Sequence, residues 1–118
     1  MTLRPGSGSK TCVNDDILDR LQATISARRG SESGYTAQLF ARGRGRIAQK
    51  LGEEAIETVI AACGADPAAI VPEAADLVYH LLVLLADAGL TLDDVRAELQ
   101  RREGIGGLVE KSQRAEQP

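Results

Sequence analysis

Five carboxylates stand at spacings that suit chemistry. Glu53, Glu54 and Glu57 make an E-E-x-x-E pattern, and Glu73 and Asp76 answer it as E-x-x-D. Both halves sit in segments that otherwise read as apolar helix, where residues three or four apart project from one side. Glu54 with Glu57, and Glu73 with Asp76, therefore form two facing pairs if the two helices pack antiparallel. Four carboxylates brought together repel one another and are costly to desolvate unless a cation compensates. An all-oxygen donor set suits Mg²⁺, with Mn²⁺ as the alternative, and both ions readily keep waters and substrate phosphates as further ligands. Zinc would want histidine or cysteine in place of most acids, and a di-iron bundle would want E-x-x-H repeats. The single histidine, His80, stands four residues after Asp76. In that position it reads first as a satisfied structural residue, and second as a contact to substrate or to a ligand carboxylate. Glycosidase chemistry by two carboxylates is disfavoured for want of an aromatic-lined sugar cleft.

Upstream lies Arg42-Gly43-Arg44-Gly45-Arg46, with Lys50 one turn before the first acids. Arginine grips phosphate with a bidentate fork, and glycine lets backbone approach a ligand. The plainer reading of this run is a hinge between helical pieces with solvated charges. It is not a Walker A loop, since no G-K-S/T follows a strand. Nucleic-acid binding is disfavoured by the acidic chain and the single aromatic nearby. Metal and arginines together point to a polyphosphate substrate, attacked by a water that a spare carboxylate orients or deprotonates.

The elements that must position these groups are all helical. A first helix is expected over about Asn14–Arg29, capped by Asn14 or Asp15, stopped by Gly30, with Arg28 and Arg29 complementing its dipole. Its buried face is Ile17, Leu18, Leu21 and Ile25. A short helix follows over Tyr35–Ala41, then a long one over about Gly45–Cys63. On the long helix the carboxylates occupy the arc opposite Ile47, Leu51, Ala55 and Val59, an arrangement that any surface helix shows. Asp66-Pro67 starts the next helix, with Pro72 able to kink it or mark its true start. From Glu73 to Ala88 that helix is apolar almost all round, save a stripe of Glu73, Asp76, His80 and Asp87. Acids are almost never fully buried unpaired, so the stripe must face something polar. Gly89 ends it, and Thr91 to Asp94 cap a last helix to about Arg102, stopped by Gly104, with Leu92, Val95 and Leu99 inward.

These 118 residues make one domain, short enough that oligomerisation often adds stability. Strand formers never cluster in alternation, so the fold class is all-α, a bundle of about four to five helices. Residues 1–13 are expected to be a disordered lead-in, 14–104 the domain and 105–118 a tail. Cys12 and Cys63 make no zinc spacing and argue for a reducing, cytoplasmic setting. No signal-length apolar core opens the chain, and the unbroken apolar run Leu81–Ala86 is too short to span a bilayer. Net charge is −3, divided as +5 over residues 1–52 and −8 over 53–118. A basic half running into an acidic half suits an anionic ligand bound through a metal, or simply two solvated faces.

Tyr35-Thr36, Leu39, Gly43, K-x-G-E-E-A-x-E over Lys50–Glu57, and E-A-A-D-L-x-Y-H-L-L-V-L-L over Glu73–Leu85 resemble the stand-alone phosphoribosyl-ATP pyrophosphohydrolase family. The acidic pattern is shared with a wider superfamily of all-α nucleotide pyrophosphohydrolases, MazG-like proteins among them. The resemblance spans about residues 16–103. It implies Mg²⁺-dependent hydrolysis of the α–β phosphoanhydride of phosphoribosyl-ATP to phosphoribosyl-AMP and pyrophosphate, in histidine biosynthesis. It implies metal ligands at Glu54, Glu57, Glu73 and Asp76, with Glu53 as a further ligand or the group that activates water. Arg42, Arg46, Lys50 and His80 are the expected substrate contacts, Arg46 standing where lysine is common. The resemblance also implies a homodimer or higher homo-oligomer whose helices complete one bundle, and a monofunctional chain with no cyclohydrolase domain before it. No nucleic acid and no membrane partner is expected. The competing readings are a house-cleaning (d)NTP pyrophosphohydrolase and a non-catalytic helical dimer. Pro72, directly before Glu73, is the departure that could shift the second ligand pair.

Overall fold

The computed structural model describes residues 16–31 and 33–104. The expectations for 1–13, Asn14, Asp15, Cys12 and 105–118 lie outside the described residues. Five α-helices follow in order: α1 (Ile17–Arg28), α2 (Tyr35–Arg42), α3 (Arg44–Ala62), α4 (Ile70–Asp87) and α5 (Leu92–Gly104), with a 3₁₀ turn, Pro67–Ala69, leading into α4. No strand occurs among the described residues.

The dominant packing is α3 against α4, with α1 laid on α4 and α2 on α3. The pair runs antiparallel, because Arg44 at the start of α3 bonds Asp87 at the end of α4, while Glu54 meets Glu73 and Asp76. In between, Ile47 (0% exposed), Leu82 (1%) and Val83 (0%) join Ile25 and Leu39 in a small core. Leu92 and Val95 of α5 pack on its edge, but Leu99 is more than half exposed and does not belong to the inward face expected of it. Ile17 is likewise exposed, since it lies at the open first turn of α1, outside the α4 contact.

Local chemistry explains the boundaries. Gly43 separates α2 from α3 at φ 93° and Gly89 ends α4 at φ 76°, both in the region that favours glycine. Gly43 is thus the hinge that the R-G-R-G-R run suggested. The Asp66 carboxylate accepts from the Ala68 N–H at 3.1 Å and caps the 3₁₀ turn. Pro72 falls in the first turn of α4, where the missing N–H costs little, and the helix runs on without a break. Asp94 accepts from the Thr91 N–H at 2.8 Å in the expected cap of α5. Arg29 does not serve its own helix end. It reaches across to the Ala86 carbonyl at 2.7 Å and lies over the Phe40 ring. By length and composition Pro67–Asp87 could cross a membrane. Here it packs against α3, α1 and α2 in the bundle, and its Asp87 and His80 are engaged by other helices.

Candidate active site

The stripe on α4 divides into three environments. At its C-terminal end Asp87 accepts from Arg44 Nε at 2.9 Å and lies 4.0 Å from Arg29, so it ties α1, α3 and α4 together. Arg44, paired in this way, does not line the cleft that Arg42 and Arg46 line. In the middle, His80 is 5% exposed with both ring nitrogens engaged. The Asp76 carbonyl, 2.7 Å from Nδ1, can only accept, so Nδ1 carries a proton. In the neutral ring Nε2 then accepts from the Tyr35 hydroxyl at 2.8 Å. Both bonds give His80 the satisfied structural position that its place in the sequence suggests first. Tyr79 stacks on Tyr35 and its hydroxyl meets buried Thr36 in a close hydrogen bond.

At the N-terminal end, Glu73 and Asp76 come together with Glu54 of α3, one carboxylate oxygen of each lying within 4.8 Å of the others. Glu54 and Glu73 are half-buried and Asp76 is exposed. Glu57 does not join them and points into solvent from the next turn of α3. The reason Pro72 leaves the pair in place is that α4 has already begun at Ile70, so Glu73 and Asp76 keep helical spacing.

Beside the acids stand the cations. Lys50 is 3.2 Å from Glu53 and 3.7 Å from Glu54, and Arg46 is 3.9 Å from Glu53. Gln49 donates to Glu53 as well, at 3.2 Å. The hydrogen bond from Lys50 is the main reason the Glu53 carboxyl sits below its ordinary range, and the same bond raises Lys50. Both groups are therefore charged throughout the neutral range. Burial holds the Tyr35 phenol above its ordinary value, partly offset by Lys50, so it stays protonated. Tyr35, Gln38, Leu39, Arg42, Arg46 and Lys50 line an open cleft of about 190 Å³ between α2 and α3. Arg42, Arg46 and Lys50 were expected at the site and the fold brings all three to this cleft. Gln38 carried no signal in the sequence; its place in the fourth position of a short helix looks like any solvated glutamine.

The three converging carboxylates fit a hard divalent ion: every donor is oxygen, the like charges need compensation, and one side remains open. Next to them a cationic cleft offers forks for phosphate. Such a surface can bind a metal–polyphosphate complex and present it to water.

The phosphoribosyl-ATP pyrophosphohydrolase family matches residues 18–103. A phosphoribosyl-ATP pyrophosphatase of Rhizorhabdus wittichii is 58% identical over 99 residues, covering 82% of this chain and 93% of its own length. That of Azospirillum brasilense is 56% identical over 104 residues, covering 86% and 94% respectively. That of Sphingopyxis alaskensis is 53% identical over 103 residues, covering 85% and 94%.

Proposed function

The chain belongs to the phosphoribosyl-ATP pyrophosphohydrolase family, and on that premise we propose that it hydrolyses phosphoribosyl-ATP to phosphoribosyl-AMP and pyrophosphate in histidine biosynthesis. The observation that carries the reading is the convergence of Glu54, Glu73 and Asp76 within 4.8 Å beside the Lys50–Arg46 cleft. These residues would hold a magnesium ion, which would supply positive charge against that developing on the phosphoryl group. Glu54, Glu73 and Asp76 are the proposed ligands. Glu57, one turn after Glu54 on α3 and exposed outside the cluster, is proposed as a fourth ligand on the family resemblance. Glu53 is proposed to orient the attacking water. Its lowered pKa makes it a weak base but a dependable acceptor, ionised wherever the enzyme would work. Lys50 and the arginines hold phosphate oxygens, and His80 sets the angle of the Tyr35 hydroxyl at the cleft wall.

The same reading includes a homodimer and a cytoplasmic setting. Ile56, Val59, Ile60 and Val71 are each at least 60% exposed and lie on the same α3–α4 hairpin. An apolar surface of that kind supports a second copy as its cover. Turnover of phosphoribosyl-ATP and of a panel of dNTPs with Mg²⁺ tests the reaction. Efficient dNTP cleavage with no turnover of phosphoribosyl-ATP would replace it with a house-cleaning activity.

A further inference from the structure

We propose that the cleft between α2 and α3 is the subsite for the 5′-phosphate of the substrate's phosphoribosyl arm, with Arg42 and Arg46 as its specificity-determining cations. The inference rests on phosphoribosyl-ATP being the substrate. That molecule is anionic at both ends, with a triphosphate on one ribose and a monophosphate on the other, held apart by the purine. The protein has two poles to match. Arg46, Lys50 and Glu54 follow one another every four residues along α3, so Arg46 stands two turns from Glu54, about 12 Å at ~1.5 Å per residue. One pole holds the metal-binding carboxylates and the other the two arginines, with Lys50 between them bonded to Glu53 and Glu54 and Arg46 reaching to 3.9 Å from Glu53.

A terminal phosphate in this cleft could also be the γ-phosphate of the triphosphate. Three observations favour the phosphoribosyl arm. The cleft is walled by an exposed phenol ring, an amide and the Leu39 side chain as well as by cations, which suits a sugar phosphate better than a bare polyphosphate. At about 190 Å³ it is too small for the whole substrate. Lys50, bonded to Glu53 and 3.7 Å from Glu54, is the cation placed to follow the triphosphate, while Arg42 is carried by α2, outside the α3–α4 pair that supplies the carboxylates. The start of α3 beside Arg42 and Arg46 has no side-chain cap, so the positive end of its dipole adds to the same field.

The two products separate the alternatives, since phosphoribosyl-AMP keeps the arm and pyrophosphate carries away the β- and γ-phosphates. Product inhibition is measured with phosphoribosyl-AMP, AMP and pyrophosphate on the wild type and on Arg42→Gln and Arg46→Gln. Each substitution is expected to raise the inhibition constant of phosphoribosyl-AMP at least ~10-fold, the scale of one charge-assisted hydrogen bond. The constants for AMP and pyrophosphate should stay where they are. A rise for pyrophosphate or for AMP to the same extent, or no rise for any of the three, overturns the assignment. Unchanged thermal unfolding of both variants excludes a folding defect. A wild-type protein that does not turn over phosphoribosyl-ATP fails the functional reading itself, whatever the variants do.

Discussion

Among single residues, Glu54 has the most conflicting neighbours. It is half-buried, 3.7 Å from Lys50, and shares a 4.8 Å cluster with two other carboxylates. One lysine cannot offset three like charges, so the cluster is poised for a cation. Replacing Glu54 with Gln should cut turnover at least ~10-fold, the usual scale for disturbing a metal site. It should also abolish the rise in melting temperature that Mg²⁺ gives the wild type by mass action. In the absence of metal the variant should be no less stable than the wild type, because a repulsive charge has gone. A calorimetric scan with and without Mg²⁺ checks all three signs, and an Mg²⁺ response retained in full would contradict the assignment. Tyr35 and His80 are a different kind of pair. Their hydrogen bond connects the cleft wall to the backbone carbonyl of Asp76 and touches no carboxylate.

Among elements, α5 is held by charge more than by apolar burial. Arg96 bonds Asp19 of α1 at 3.1 Å and Asp93 of its own first turn at 2.8 Å, and none of its residues is buried. Farther along, Arg101 and Arg102 both donate to Glu98. Those bonds depress the Glu98 carboxyl from an ordinary 4.5 to about 2. A carboxyl depressed in the folded state lends stability that is present above its unfolded value and is lost as pH falls through the folded one. The contribution of Glu98 is thus full above about pH 4.5 and fades between there and about pH 2. Protection factors of amides in the last turns of α5, measured against the intrinsic exchange rate at each pH, should fall on acidification through that window. In Glu98→Gln the same amides should exchange faster at neutral pH and lose the acid step. An identical acid step in the variant would assign it to another group. The exposure of Glu98 makes the effect local and salt-sensitive, since solvent screens such pairs.

For the whole molecule, the notable quantity is the apolar surface left uncovered. Four side chains of the α3–α4 hairpin are more than half exposed while the core proper is small. In a chain of this size, burying that surface against a second copy is an efficient source of stability. Ile60→Asp should shift the protein toward a monomer in sedimentation at micromolar concentration and lower its melting temperature together with the association. A wild type that sediments as a clean monomer would refute the dimer.

The helices, their order and the identity of the acidic motif were legible in the sequence because they depend on local information: spacing, caps, glycine stops and apolar periodicity. Pro72 illustrates the limit of that information, since its effect depended on whether the 3₁₀ turn had already begun α4 before it. The stripe on α4 was correctly read as polar groups in need of partners, but periodicity assigns a residue to a face and not to a neighbour. Only the antiparallel register of α3 and α4 decided that Asp87 goes to Arg44 and that Glu73 and Asp76 go to Glu54, and only the docking of α2 brought Tyr35 to His80. The tertiary packing likewise separated Arg44, paired with Asp87, from Arg42 and Arg46, which line the cleft. Which charges meet depends on contacts between residues distant in sequence, and these are settled by how two apolar faces slide together around Ile47, Leu82 and Val83.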